Sequence, residues 1–330
     1  MSLSSNVKKA LPFTVGLAIL AIVLQKAGPE NILEALSKVS PQTIATALLF
    51  ALFSLVLKTF RWHFLLRRLD GVRYRDSFLI FCGGVVLNEV LPVGSGELAR
   101  AQFVKRIKGT SRTKVLVPLM LERSLDVFVL LLFSLLGIGL LGNRFDVFLP
   151  VVALAIAFVA VLLFVPGIAP KISLWLSFLD RGALKPAYSR LTAMSLSFDE
   201  SLSAYAKSRS FLAFMFFLTL LAWASEALTY FLLSNAVGAE MPFAVVLPLS
   251  SVSWLVGAFS FLPGGIGARE TAYALLVSSL GYASFATGIS ASLLYRGVAY
   301  AILTFFGVLS FVALTYRPAA HKPPAAEPKN

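Results

Sequence analysis

Leu91-Pro92-Val93-Gly94-Ser95-Gly96-Glu97 and Leu262-Pro263-Gly264-Gly265-Ile266-Gly267 interrupt two apolar stretches, residues 77–96 and 242–282, with one shared pattern, Leu-Pro-x-Gly-x-Gly. Lipid offers no water to an unpaired amide. Broken backbone at membrane depth must therefore be buried in protein or line a wet cavity. Both breaks are read as re-entrant or discontinuous segments, turning at Pro92, Gly94 and Gly96 in the first and at Pro263, Gly264, Gly265 and Gly267 in the second. Glycine permits the tight turn, and the amides it leaves free at a helix start suit an anion such as a phosphate.

The surrounding composition places these breaks in a membrane. Of 330 residues, 58% are hydrophobic and 14% charged, and the mean hydropathy is +0.84. Soluble domains carry about a quarter charged residues. Apolar runs long enough to span a bilayer occupy residues 10–25, 41–60, 115–141, 147–168, 211–236 and 286–316. The expected fold is an all-α integral membrane protein, a polytopic helical bundle of six long spans and two re-entrant segments. Lys8 and Lys9 before the first run resemble a signal peptide, but no clear cleavage site follows, so that run is read as a retained anchor.

Charge sets the expected orientation. With the N-terminus inside and both breaks returning to their side of entry, segments 1–9, 61–76, 99–114, 170–209 and 317–330 hold 22 Lys and Arg, against 4 in the opposite segments. This bias puts both termini in the cytoplasm of a multi-pass plasma-membrane protein. The net charge of +13 is then a matter of loops facing anionic lipid, not of nucleic acid.

The first break then enters from the cytoplasm and the second from outside. Each follows a long span and precedes another long span carrying an arginine, Arg123 or Arg296. Residues 1–317 are read as one transmembrane domain in which repeat one, about 41–141, and repeat two, about 211–316, are related by inverted topology. Paired interrupted segments of this kind point to a transport site near the midplane. Residues 170–209 are read as an interfacial linker and 318–330 as a disordered tail.

Ionisable groups inside spans cost about 2.5–3.5 kcal/mol each at a helix centre, yet Glu89, Glu97, Glu122, Arg123, Asp126, Glu226, Glu270 and Arg296 all fall there, with Arg100 and Arg269 at the break edges. Glu122 and Asp126 lie one turn apart and share a helix face. Arg123 sits about 100° round, within reach of a neighbouring helix's carboxylate. Two readings stand side by side for the acids: ion pairs that tie helices together, or a polar cavity for a charged head group. For Arg123, Arg269 and Arg296 the phosphate-binding reading is preferred, because guanidinium binds phosphate bidentately. The substrate-binding set is thus Glu97, Arg100, Glu122, Arg123, Asp126, Arg269, Glu270 and Arg296.

Other chemistry finds little footing. Cys82 is the one cysteine, and His63 and His321 are the only histidines. No metal site or other cofactor is expected. Gly94-Ser95-Gly96-Glu97-Leu98-Ala99 matches a loose nucleotide pattern but lacks a βαβ context. No phosphate-binding P-loop, zinc-protease or serine-hydrolase motif appears. The protein is therefore not expected to be an enzyme.

The chain resembles the flippase-like transmembrane region of the lysylphosphatidylglycerol synthase family. The resemblance rests on Arg61-Trp62, Leu91-Pro92 through Gly96-Glu97 with Arg100, Leu121-Glu122-Arg123 with Asp126, and Leu262-Pro263-Gly264-Gly265-Ile266-Gly267 with Arg269-Glu270. It covers residues 10 to 316. It implies movement of a charged phospholipid or lipid-linked group between leaflets, with membrane phospholipid as the partner. No aminoacyl-transfer domain lies within these residues, so lysyl transfer is not carried over. A transporter of a small polar or ionic solute, or a membrane scaffold for a separate lipid-modifying or glycosyl-transferring enzyme, is the alternative. Such an enzyme, or a second copy of the chain, is a further partner to expect.

Overall fold

A computed structural model describes residues 20–22, 24–26, 28–90, 95–141, 192, 196, 205 and 207–316, and the described residues contain no β-strand. After a short helix α1 (Pro29–Ser37), four helices follow: α2 (Pro41–Asp70), α3 (Tyr74–Val90), α4 (Ser95–Lys108) and α5 (Arg112–Leu141). A second set repeats the order: α6 (Arg209–Ala236), α7 (Phe243–Phe259), a 3₁₀ turn at Pro263–Gly265, α8 (Ala268–Ser279) and α9 (Phe285–Thr315). Lengths match element by element: 30, 17, 14 and 30 residues against 28, 17, 12 and 31.

Local chemistry sets the boundaries. Ser40 caps α2 by accepting the Thr43 amide at 3.1 Å, ahead of Pro41, and Ser284 caps α9 through the Thr287 amide in the same way. Pro is suited to the first helical turn because it lacks only an amide that the helix cannot use there. Gly71 closes α2 in the left-handed conformation, φ 57°. The second break follows from its proline: Leu262 is extended ahead of Pro263, as residues before proline prefer.

Packing repeats as well. α3 folds back on α4 and α7 on α8; α9 lies on α3 and α5 on α7; α6 lies along α2. The crossing of α3 and α4 depends on two glycines. A Cβ on Gly84 would meet Arg100 Cδ at 2.7 Å and the Gly96 carbonyl at 3.0 Å, so neither helix tolerates a larger residue there. The interior is aliphatic and aromatic, with Trp62, Ile80, Tyr230, Tyr273 and Tyr295 buried in it.

Three described helices are long and apolar enough to cross a membrane: α2 through Leu69, α6 and α9. Their outer faces expose Leu49, Phe53, Phe60, Phe214, Phe217, Phe305, Val308 and Leu309, as a lipid-facing surface would. The expected span at 115–141 is helical throughout but carries Glu122, Arg123 and Asp126, and it is not one of those three. The runs at 10–25 and 147–168, the linker at 170–209, the tail, and Pro92 and Gly94 lie mostly or wholly outside the described residues.

One boundary is corrected. The run expected to end at residue 60 continues as helix to Asp70. Arg61, Trp62 and His63 are therefore helical rather than part of a basic loop, and Arg61 and Trp62 are buried. Arg61 ends the apolar run, but its charge is paired inside the protein, so the helix continues to its true last turn at Arg67 and Arg68.

Candidate functional site

The two sets of helices carry one device in common. Glu97 is the third residue of α4 and Glu270 the third of α8. Arg123 is the twelfth of α5 and Arg296 the twelfth of α9. In each set the arginine reaches back 26 residues: Arg123 Nε donates to Glu97 Oε1 at 2.9 Å, and Arg296 Nε donates to Glu270 Oε1 at 2.6 Å. A carboxylate in the first turn of a helix also meets that helix's partial positive charge. Glu270 uses this position fully, because its Oε2 accepts the Gly267 amide at 2.7 Å. In the first set Asn88 performs the bridging: its Oδ1 accepts the Gly96 amide at 2.7 Å and its Nδ2 donates to Glu97 at 3.0 Å.

Between the sets lies a cavity of about 460 Å³, walled by both hairpins. Its charged lining comprises Lys58, Arg61, Glu89, Glu97, Glu122, Arg123, Asp126, Glu226 and Arg269, with Trp223, Trp254, Tyr295 and Tyr300 among them. Gly264 and Gly265 close one side. Gly265 has φ 64°, and a Cβ on it would meet the Gly257 backbone at 2.8 Å. A β-branched residue is excluded there on both counts.

Most of these charges neutralise one another. Arg61, only 1% exposed, donates to Asp126 at 2.7 and 3.2 Å and to Thr219 at 2.8 Å, and lies 3.3 Å from Glu122. Arg100 donates to both Glu122 oxygens, at 2.7 and 3.3 Å, while its guanidinium lies 3.8 Å over the Trp62 ring. Trp223 Nε1 donates to Asp126 at 2.8 Å. Lys58 donates to Glu226 at 2.6 Å, which also accepts from Ser54 and Tyr295. The shared face expected for Glu122 and Asp126 is therefore real, and Arg61 of α2 bridges the two acids.

Arg269 differs. It is 3% exposed and lines the cavity, yet its guanidinium donates no hydrogen bond among the described residues. Its closest carboxylate contact is Nε to Glu270 Oε1 at 4.0 Å, beyond hydrogen-bonding range, and that nitrogen has no partner. It is held instead by rings, 4.3 Å over Trp254 and 5.3 Å over Tyr295. Cation–π contact stabilises the charge but leaves its N–H edge free.

Of the residues expected from sequence, Glu97, Glu122, Arg123, Asp126, Arg269, Gly264 and Gly265 form cavity wall. Arg100, Glu270 and Arg296 stand behind it. Arg100 holds Glu122, and Arg296, fixed by Glu270, donates to Tyr300 at 2.6 Å and the Gly264 carbonyl at 3.2 Å. Pro263 and Gly267 shape the second turn without lining the cavity, whereas Gly96, expected at a turn, is already helical as the second residue of α4, where its missing Cβ lets the helix pack on Gly84. Sequence reasoning missed Trp223, Trp254, Tyr295 and Tyr300. Aromatic residues are common in spans, so nothing in the sequence distinguishes these four; only Tyr295, beside Arg296, had a flagged neighbour.

Long helices with apolar outer faces around a core of buried ion pairs define a multi-pass helical membrane protein, with a charged cavity inside. Comparison with known proteins agrees: the chain belongs to the lysylphosphatidylglycerol synthase transmembrane-region family, whose profile matches residues 10–307. Two UPF0104 membrane proteins of Methanothermobacter thermautotrophicus are similar to it, at 28% identity over 89% of each chain and at 24% over 86% of this chain and 88% of the relative. Glycosyltransferase AglD of Haloferax volcanii is 24% identical over 90% of this chain, which spans 53% of that protein.

Proposed function

We propose that the protein translocates a lipid: it binds the charged head group of a phospholipid, or a lipid-linked group, in the central cavity and passes it between leaflets. One observation carries this reading. A cavity walled by both hairpins contains a buried cation, Arg269, which donates no hydrogen bond to any described residue and whose Nε is unpartnered. A phosphate is the natural ligand of a bare guanidinium. Arg123, on the facing set of helices, supplies a second cation to the same space. Family membership supports a lipid role.

The frame of this proposal is an inverted-topology repeat, α2–α5 and α6–α9, inside six long spans with both termini in the cytoplasm of the plasma membrane. The one-for-one exchange of helix pairings supports the repeat. The charge bias supports the orientation: with the buried Arg61, Arg100 and Arg269 removed from the count, 20 basic residues remain inside against 3 outside.

The test is leaflet exchange in vesicles reconstituted with purified protein and acyl-labelled phospholipid. Exchange above empty vesicles is expected, falling to background in Arg269→Ala and Arg123→Ala while both variants remain folded in the membrane. Background exchange for every phospholipid offered to the unsubstituted protein refutes the proposal.

A second reading, a membrane scaffold for a glycosyl-transferring enzyme, is favoured by the alignment with part of AglD. It predicts that an enzyme co-purifies with the chain and that both arginine substitutions are silent.

A further inference from the structure

Resting on the lipid reading above, we infer that the cavity selects a zwitterionic head group, its anion placed on Arg269 and its cation on Glu89. The charge pattern of the cavity leads there. Five cations inside the protein each meet a carboxylate within 3.3 Å: Lys58 with Glu226, Arg61 with Asp126, Arg100 with Glu122, Arg123 with Glu97, and Arg296 with Glu270. Among the described residues that line the cavity, removing these pairs leaves one positive and one negative group. The positive one is Arg269. The negative one is Glu89, in the last turn of α3.

Glu89 is partly buried. Among the described residues it accepts a single hydrogen bond, from Tyr300 at 3.0 Å, and meets no Lys or Arg within ion-pair distance. The four residues after it, Val90 to Val93, bring no cation. Its position is defined by the second hairpin: a Cβ on Gly264 would overlap Glu89 Oε2 and lie 3.2 Å from the Tyr300 hydroxyl and 3.4 Å from Arg296 Nη1. Glu89 thus belongs to the first helical set and is steered by the second, in the same cavity as Arg269.

A carboxylate that reaches a cation only through Tyr300, which Arg296 holds, is under-compensated in a membrane interior. A purely anionic head group would satisfy Arg269 while adding like charge near Glu89. A head group carrying a phosphate and a protonated amine satisfies both at once, and discrimination arises as much from the repulsion as from the attraction. Trp254 and Tyr295 hold the Arg269 guanidinium itself, so the ammonium end is left to Glu89.

Binding to the purified full chain in an uncharged detergent tests this. The probes are dioctanoyl phosphatidylethanolamine, dioctanoyl phosphatidylglycerol and free phosphoethanolamine, read by thermal melting and tryptophan emission. Phosphatidylethanolamine is expected to bind about tenfold tighter than phosphatidylglycerol, the worth of one charge-assisted hydrogen bond. Glu89→Gln, whose amide oxygen still accepts from Tyr300, should abolish that preference, and Arg269→Gln should weaken both lipids. Equal or tighter binding of phosphatidylglycerol to the unsubstituted protein overturns this inference and leaves the lipid reading standing; that arm needs no variant to fold. A preference unchanged in Glu89→Gln removes Glu89 from the site. Absence of binding by either lipid, or free phosphoethanolamine binding as tightly as the lipid, overturns the lipid reading and this inference with it.

Discussion

The two helical sets contain the same parts in different states of satisfaction. Arg100 and Arg269 are each buried and stacked on a tryptophan, Trp62 in one set and Trp254 in the other. The residue before each reach-back arginine decides their difference. Before Arg123 stands Glu122, whose carboxylate binds Arg100 through two hydrogen bonds. Before Arg296 stands Tyr295, which offers Arg269 a ring and no acceptor. The reach-back pairs differ as well: the Arg123 side chain is 48% exposed, toward the cavity, and that of Arg296 is 8% exposed. One set closes its charge network and opens its ion pair to the cavity; the other seals its ion pair and leaves a cation free. A repeated architecture thus yields a site that is not symmetric.

The largest expected effect probes the closed network. Arg61→Ala removes the guanidinium that bridges the two acids, leaving Asp126 with Trp223 and the more distant Arg123 and Glu122 with Arg100 alone, and removal of one partner from a buried pair costs about 3–5 kcal/mol. The melting temperature in detergent should fall sharply, or folded protein should be lost; a variant as stable as the parent would show that these acids are not charged or not buried. Next comes the contrast between the twin arginines. Arg296→Ala should destabilise by about 3 kcal/mol, whereas Arg123→Ala should cost about 1 kcal/mol or less, as for an exposed pair. Chemical or thermal denaturation of both, side by side, measures the gap, and equal losses would erase the difference between the sets. Gly265→Val combines a left-handed backbone with contact against Gly257, and a cost of about 2 kcal/mol is expected from strain and overpacking. Transport should fall with it, since the second hairpin can no longer reach its position. The smallest effect is Glu97→Gln, within about 1 kcal/mol, because Asp126 still faces Arg123 at 3.7 Å.

Much of this was legible before any coordinates. The Leu-Pro-x-Gly-x-Gly breaks marked both hairpins, and the ionisable residues inside apolar runs marked most of the charged groups in the cavity wall. Arg123 was expected to reach a carboxylate on a neighbouring helix, and it reaches Glu97. The partners of Arg61 were not legible, because the choice of Asp126 and Glu122 depends on how α2 and α5 cross rather than on local spacing. Nor was the free edge of Arg269. A tyrosine at 295 in place of an acid is an ordinary span residue until the helices are packed, and only then does it leave a cation without an acceptor. Helix periodicity locates faces; it does not say which faces meet.

The central claim is that both hairpins contribute to one cavity that receives a lipid head group. The most direct measurement is photo-cross-linking with a phospholipid carrying a diazirine on its head group, followed by peptide mapping of the reconstituted protein. The account predicts adducts on both hairpins, near Asn88 and Glu97 in the first and near Gly264 and Arg269 in the second. Adducts confined to outward residues such as Phe217 and Phe305 would contradict it.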